Sequence, residues 1–171
     1  IFTPAFEAPD EEGHYEYVAY YNKFNKIPVY KNDAKELPAE WIQPPFYYII
    51  VSNILQPLNN FGLCEIKTNT LLSNPDFKNP NVSNNSSMFL HADEEKFPFK
   101  GTARTVHLLR FFNVIIGTAT LLIVFGICRK IFPDAKMLPL FVTSLIAFIP
   151  QFTFINSVLS NDPLGIFFTT L

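Results

Sequence analysis

The sequence predicts an all-α, polytopic membrane protein, and three observations carry that reading. Phe111 to Cys128, "FFNVIIGTATLLIVFGIC", runs 18 residues without a charge. Leu138 to Leu159, "LPLFVTSLIAFIPQFTFINSVL", is a second long uncharged run. The polar half before them has short stretches whose apolar residues recur at helical spacing.

Composition narrows the class further. The 171 residues carry a formal net charge of −2 and no basic run, which excludes a nucleic-acid partner. Charged residues make up 16%, against roughly 25% in ordinary soluble domains, and 19 phenylalanines add to the apolar excess. The charge deficit is local. Residues 1–105 are rich in Asn, Pro and Tyr, whereas residues 106–171 are nearly all apolar. The chain lacks an initiator Met and a signal-type leader and stops within an apolar run, so it is expected to be an excerpt of a longer membrane protein. Cys64 and Cys128 lack metal-ligand spacing and are expected to be an unpaired loop thiol and a small buried apolar residue.

The expected elements follow in chain order. Gly13 to Phe24 places Tyr17, Val18, Tyr21 and Phe24 on one face, so a helix is expected over about 11–24, its tyrosines suited to a lipid–water boundary. Pro44 and Pro45 set the start of a second short helix, about 45–56, too short to span and suited to the membrane plane. From Pro57 to Gly101 the density of Asn, Pro and Ser predicts irregular chain. Triplets at Asn81, Asn84 and Asn85 match the N-glycosylation pattern, which chance also produces in an Asn-rich loop.

The first span is expected over about 104–131; at roughly 1.5 Å per residue its uncharged part covers roughly 27 Å, close to a bilayer's hydrocarbon thickness. The second is expected over 137–159, kinked at Pro150, and a third from residue 162. Asn161 or Asp162 can cap that third helix, with Pro163 at its first position. The loop "RKIFPDAKM" holds Arg129, Lys130 and Lys136, which predicts that it is cytoplasmic. Residues 1–105 and the Ser160–Asp162 turn then share the extracytoplasmic side.

Chemistry concentrates in "EAPDEEGHYEYVAYY", Glu7 to Tyr21. Asp10 follows Pro9 and opens a helical pattern, so it reads either as an N-cap or as a carboxylate able to act as general base or metal ligand. Glu11 and Glu12 suit the positive end of the helix dipole, and His14 can reach back to Asp10 from the first turn. Arg110 adjoins the apolar run, with His107 one turn before it. It reads either as a snorkelling side chain or as a forked donor to a lipid phosphate.

"PDEEGHYEYV", "QPPFYYIIVSNIL", "RFFNVIIGTATLLIVFGICRKIFP" and "FIPQFTFINSVLSNDPL", in that order, resemble the opening of a GT-C superfamily glycosyltransferase. The nearest relatives in pattern are protein O-mannosyltransferases and lipid A aminoarabinose transferases. The resemblance rests on the Asp10-Glu11 pair, the prolines Pro44 and Pro45, and Arg110 followed by Gly117. It implies sugar transfer from a polyprenyl-phosphate donor to a lipid, glycan or protein acceptor outside the cytoplasm. Asp10 and Glu11 would be catalytic, and His14, Gln43, His107, Arg110, Asn161 and Asp162 would contact substrate. No cofactor is implied beyond a candidate divalent metal on Asp10. The loop from Pro57 to Gly101 is longer than in compact members, which leaves the acceptor class open. Two other classes stand beside the enzyme: a non-catalytic component of polysaccharide assembly or export, and a transporter. The spans hold few ionisable groups beyond Arg110, which weighs against the transporter.

Overall fold

A computed structural model of the chain describes residues 3–30, 37–66, 73–83, 86–91 and 93–171. The described residues form six α-helices and no strand: α1 Glu11–Phe24, α2 Phe46–Asn60, α3 Gly101–Ile131, α4 Leu138–Ala147, α5 Pro150–Ser157 and α6 Asp162–Thr170. They divide into two compact units, Ile1–Leu108 and Leu109–Leu171.

In the first unit α1 packs against α2. The buried positions of α2 are Tyr47, Tyr48, Val51, Ser52 and Leu55, one stripe at helical spacing. Tyr17 lies flat on Tyr48, ring centroids 3.8 Å apart and planes 9° from parallel. Tyr15, Tyr17 and Tyr20 are all buried. This corrects part of the expectation of a face at a lipid boundary: Tyr17 and Val18 fill a protein core, whereas Tyr21 and Phe24 stay partly exposed. Burial, and then the neighbouring Tyr20, push the Tyr17 phenol up to about 12.

α1 has the expected bounds, and the ends of α2 and α3 differ from expectation for identifiable reasons. α1 closes on Asn25, left-handed at φ 50°, whose N–H returns to the Tyr21 carbonyl at 2.8 Å. α2 passes through Pro57 and ends a turn later than expected. Its stop is a Schellman arrangement: Leu63 N–H reaches the Leu58 carbonyl at 2.8 Å and Gly62 N–H reaches Asn59 at 3.0 Å, with Gly62 at φ 70°. α3 begins at Gly101, three residues earlier than expected. Between them the described residues are irregular apart from one antiparallel bridge, Ser73 with Phe89, and a 3₁₀ turn at Asp93–Glu95. Asn81 is exposed there, while the Asn84 and Asn85 triplets begin outside the described residues. Thr105 Oγ1 donates to the Glu65 carbonyl at 2.6 Å and accepts the Glu65 N–H at 3.0 Å, which holds this loop to the first turns of α3. Cys64 is buried, its thiol 3.6 Å from the Leu55 carbonyl, and desolvation raises its pKa.

In the second unit α3 is long and apolar enough to cross a membrane, and only 22% of its most apolar 18-residue window is buried. The core helix of a soluble protein would be mostly covered. The run over 138–159 is not one kinked helix but two, α4 and α5, bent by 64°. Pro150 has no N–H to give to Ile146, and it forces Ile149 into extended backbone at φ −66°, ψ 119°. Neither Asn161 nor Asp162 caps α6 through its side chain. Ser160 Oγ instead accepts the Asp162 N–H at 3.1 Å, and Pro163 occupies the second helical position rather than the first. Within this unit Asn113 is fully buried and donates through Nδ2 to the carbonyls of Val158, at 2.7 Å, and Ser160, at 3.0 Å. Gly117 leaves room for Asn156; a methyl group there would collide with the Asn156 side chain.

Candidate functional site

Phe6 and Asp10 both adopt left-handed backbone, at φ 66° and 60°, and the chain turns sharply between them into α1. For a bulky residue such as Phe6 that conformation costs on the order of 1–2 kcal/mol, so something must hold it. Glu11 does. It is fully buried, and its Oε2 accepts the Phe6 N–H at 2.9 Å. The Phe6 ring then packs edge-on against Tyr15, at 5.1 Å, and Phe89, at 6.0 Å. Glu11→Ala is expected to lower the stability of the full chain by about 1–3 kcal/mol, by leaving the buried Phe6 N–H without an acceptor. Glu11→Gln, which keeps an acceptor oxygen, should recover most of that loss in the same thermal-unfolding measurement.

Asp10 stands at the N-cap position of α1 but makes no side-chain cap hydrogen bond. The capping role expected of it is therefore not its role in the fold. The carboxylate is exposed on the wall of a cleft of about 480 Å³, lined also by Glu7, Glu12, Gly13, Glu40 and the apolar side chains of Phe77, Met88 and Phe89. Gly13 keeps the cleft's other wall close: a Cβ there would lie 2.8 Å from Glu40 Cγ and 3.3 Å from Ala39 Cβ. Lost solvation, and then repulsion from Glu16 one turn on, raise the Glu12 pKa above the ordinary glutamate value. Asp10 and Glu12 thus place two carboxylates on the wall of one cleft.

The other expected site residues are dispersed. His14 is buried and does not turn back to the Asp10 carboxylate; its Nδ1 lies 2.6 Å from the Tyr48 hydroxyl, joining α1 to α2. Gln43 reaches the cleft indirectly, donating to Glu40 Oε2 at 2.9 Å. His107 stacks on Phe99, centroids 3.7 Å apart, and borders a second cavity of about 300 Å³ in the same unit. Arg110, Asn161 and Asp162 belong to the second unit. Arg110 is 4% exposed, so its guanidinium is held among protein atoms rather than extended to water. Among the described residues no three His, Cys, Asp or Glu side chains converge as a metal-binding group. Glu12 and Glu40 were not singled out in the sequence as site residues. Glu12 reads there as a dipole-favoured helix acid, and nothing local announces that Glu40 folds back onto Gly13.

No family model, curated protein or solved structure matches the chain.

Proposed function

We propose that the chain acts as a multi-pass plasma-membrane glycosyltransferase of GT-C type, moving a sugar from a polyprenyl-phosphate donor to an extracytoplasmic acceptor. The observation that carries this reading is the Asp10 carboxylate: exposed, without capping duty, and set beside Glu12 in an open cleft. The ordered sequence resemblance and the long apolar α3 support it. In the proposed arrangement α3 crosses the membrane outward to inward, α4 and α5 together form a broken second span, and α6 begins a third. The first unit then lies outside the cytoplasm.

The chemistry asks little more of the protein than a base and a charge. An acceptor hydroxyl is a poor nucleophile until its proton has a destination. Asp10 takes that proton as the acceptor oxygen bonds to the anomeric carbon, and the bond from that carbon to the phosphate oxygen breaks. Polyprenyl phosphate leaves with the electron pair. The sequence resemblance, rather than any geometry, names Arg110 as the proposed contact for that phosphate. Glu11, buried against Phe6, serves by fixing the turn that presents Asp10.

Orientation is the requirement this function cannot do without. With Cys64 and Cys128 changed to Ser, single cysteines at the exposed positions Asn81 and Asp134 are expected to differ in labelling by an impermeant maleimide. Position 81 should label on intact cells and position 134 only after permeabilisation. Labelling of 134 but not 81 from outside would reverse the orientation and remove Asp10 from the donor's side.

A further inference from the structure

Glu7 and His91 lie 84 residues apart in sequence and meet through one short contact, His91 Nε2 to Glu7 Oε1 at 2.8 Å. The other ring nitrogen, Nδ1, lies 2.8 Å from Glu95 Oε2. A neutral imidazole has one N–H and can donate to only one carboxylate; its second nitrogen would set a lone pair against an oxygen lone pair. With both glutamates ionised, the two contacts together require the imidazolium. The Glu95 side chain is only 10% exposed, and its second oxygen, Oε1, is buried with no hydrogen-bond partner among the described residues. Proton loss from His91 would therefore strand a largely buried carboxylate as well as break one contact.

Glu7 is also a wall residue of the Asp10–Glu12 cleft, between Phe6 and the left-handed Asp10. We propose that Glu7, His91 and Glu95 form a proton-operated clasp that ties the Phe6–Asp10 segment, and with it one wall of the cleft, to His91 and the Asp93–Glu95 turn, and that deprotonation of His91 opens it. The inference stands on the geometry of the first unit and does not require the cleft to transfer sugar.

The neighbouring charges leave His91 as the operating group. Asp93, Lys96 and His107 border the same cavity of about 300 Å³. Lys96 closes on Asp93 at 2.6 Å, and His107 is stacked on Phe99. Partial burial by itself would lower the His91 pKa, but the hydrogen bonds and charges of Glu95 and Glu7 outweigh it and hold the pKa above the ordinary histidine value. The sign follows. A histidine whose folded pKa is raised contributes stability that is complete below its unfolded pKa and is lost as pH rises through the folded one. With Glu7 and Glu95 ionised, the clasp is shut below the raised His91 pKa and opens as pH climbs through it.

The full chain in lipid nanodiscs, labelled on its 3 histidines, allows each imidazole to be titrated by NMR once His14→Gln and His107→Gln variants assign the signals. Amide exchange of residues 3–12 is followed over the same pH range and corrected for intrinsic rates. His91 should titrate above the ordinary histidine value with both nitrogens protonated below that midpoint, and protection of the segment should fall about tenfold through that titration. Glu7→Gln should move the His91 midpoint downward and abolish the step in protection. A His91 that titrates at or below the ordinary value, or a protection step that survives in Glu7→Gln, would overturn the clasp. His91→Gln gives a second reading: low protection at every pH supports the clasp, and a parental step contradicts it.

Discussion

Asp10→Asn is expected to leave folding unchanged within about 0.5 kcal/mol, while cutting sugar transfer by roughly 10²-fold or more. The two halves of that result have separate causes. Asp10 is exposed, makes no cap hydrogen bond through its side chain, and sits at φ 60°, ψ 0°. Asn enters that left-handed region as readily as Asp, so the backbone is not strained by the change. What Asn lacks is a carboxylate able to take the acceptor's proton. Asp10→Ala is the useful contrast, since it should lose about 1 kcal/mol through backbone strain as well as activity. Near-normal transfer by Asp10→Asn would show that this carboxylate is not the base, and the assignment of Asp10 as catalytic would fail.

Asn113→Leu is expected to destabilise the second unit by about 2 kcal/mol or more, the largest stability effect anticipated for a single side chain here. Leu branches as Asn does but is bulkier, so crowding adds to the chemical loss and Asn113→Asp is the variant that isolates the hydrogen bonds. It deletes an Nδ2 that serves two carbonyls, Val158 and Ser160, at 2.7 and 3.0 Å in a fully buried position. Those carbonyls end α5 and lead into α6, where no helical N–H follows to satisfy them. An unpaired carbonyl away from water costs more than the hydrogen bond itself contributed. Asn113→Asp, which keeps the shape but lacks the donors, should lose a similar amount. Thermal unfolding of the full chain in a mild detergent measures this; a loss under about 0.5 kcal/mol in both variants would show that the turn is held by other contacts.

Most helix positions were legible because the decisive residues are local. Pro9-Asp10 before an amphipathic run marked α1, Pro44-Pro45 marked α2, and Pro150 marked the break that became a 64° bend. What stayed hidden was set by partners far away in sequence. A stripe of tyrosines has the same spacing whether it faces lipid or a protein core, and only Tyr48, 31 positions from Tyr17, decides the matter. Gly62 as a Schellman terminator was visible in principle, but the surrounding Asn and Pro residues made the whole stretch read as loop. Asp10 read as an N-cap because residue type and position fit. Ser160 took the duty expected of Asn161 or Asp162 because the chain bends one residue earlier than Pro163 suggested. In the candidate site, Asp10 was legible from its neighbours. The cleft around it was not, since Glu40, Phe77 and Phe89 arrive from three other segments.

The central claim is that this chain moves sugar from a lipid phosphate, and transfer itself tests it most directly. Full-length protein in sealed vesicles, with its first unit facing outward, would be offered radiolabelled polyprenyl-phosphate sugars in the outer leaflet, with nucleotide sugars as the comparison. The reading predicts incorporation of label from at least one polyprenyl-phosphate sugar, none from nucleotide sugars, and loss of the signal in Asp10→Asn. Incorporation from nucleotide sugars alone, or from no donor with protein shown to be folded and correctly oriented, would contradict it.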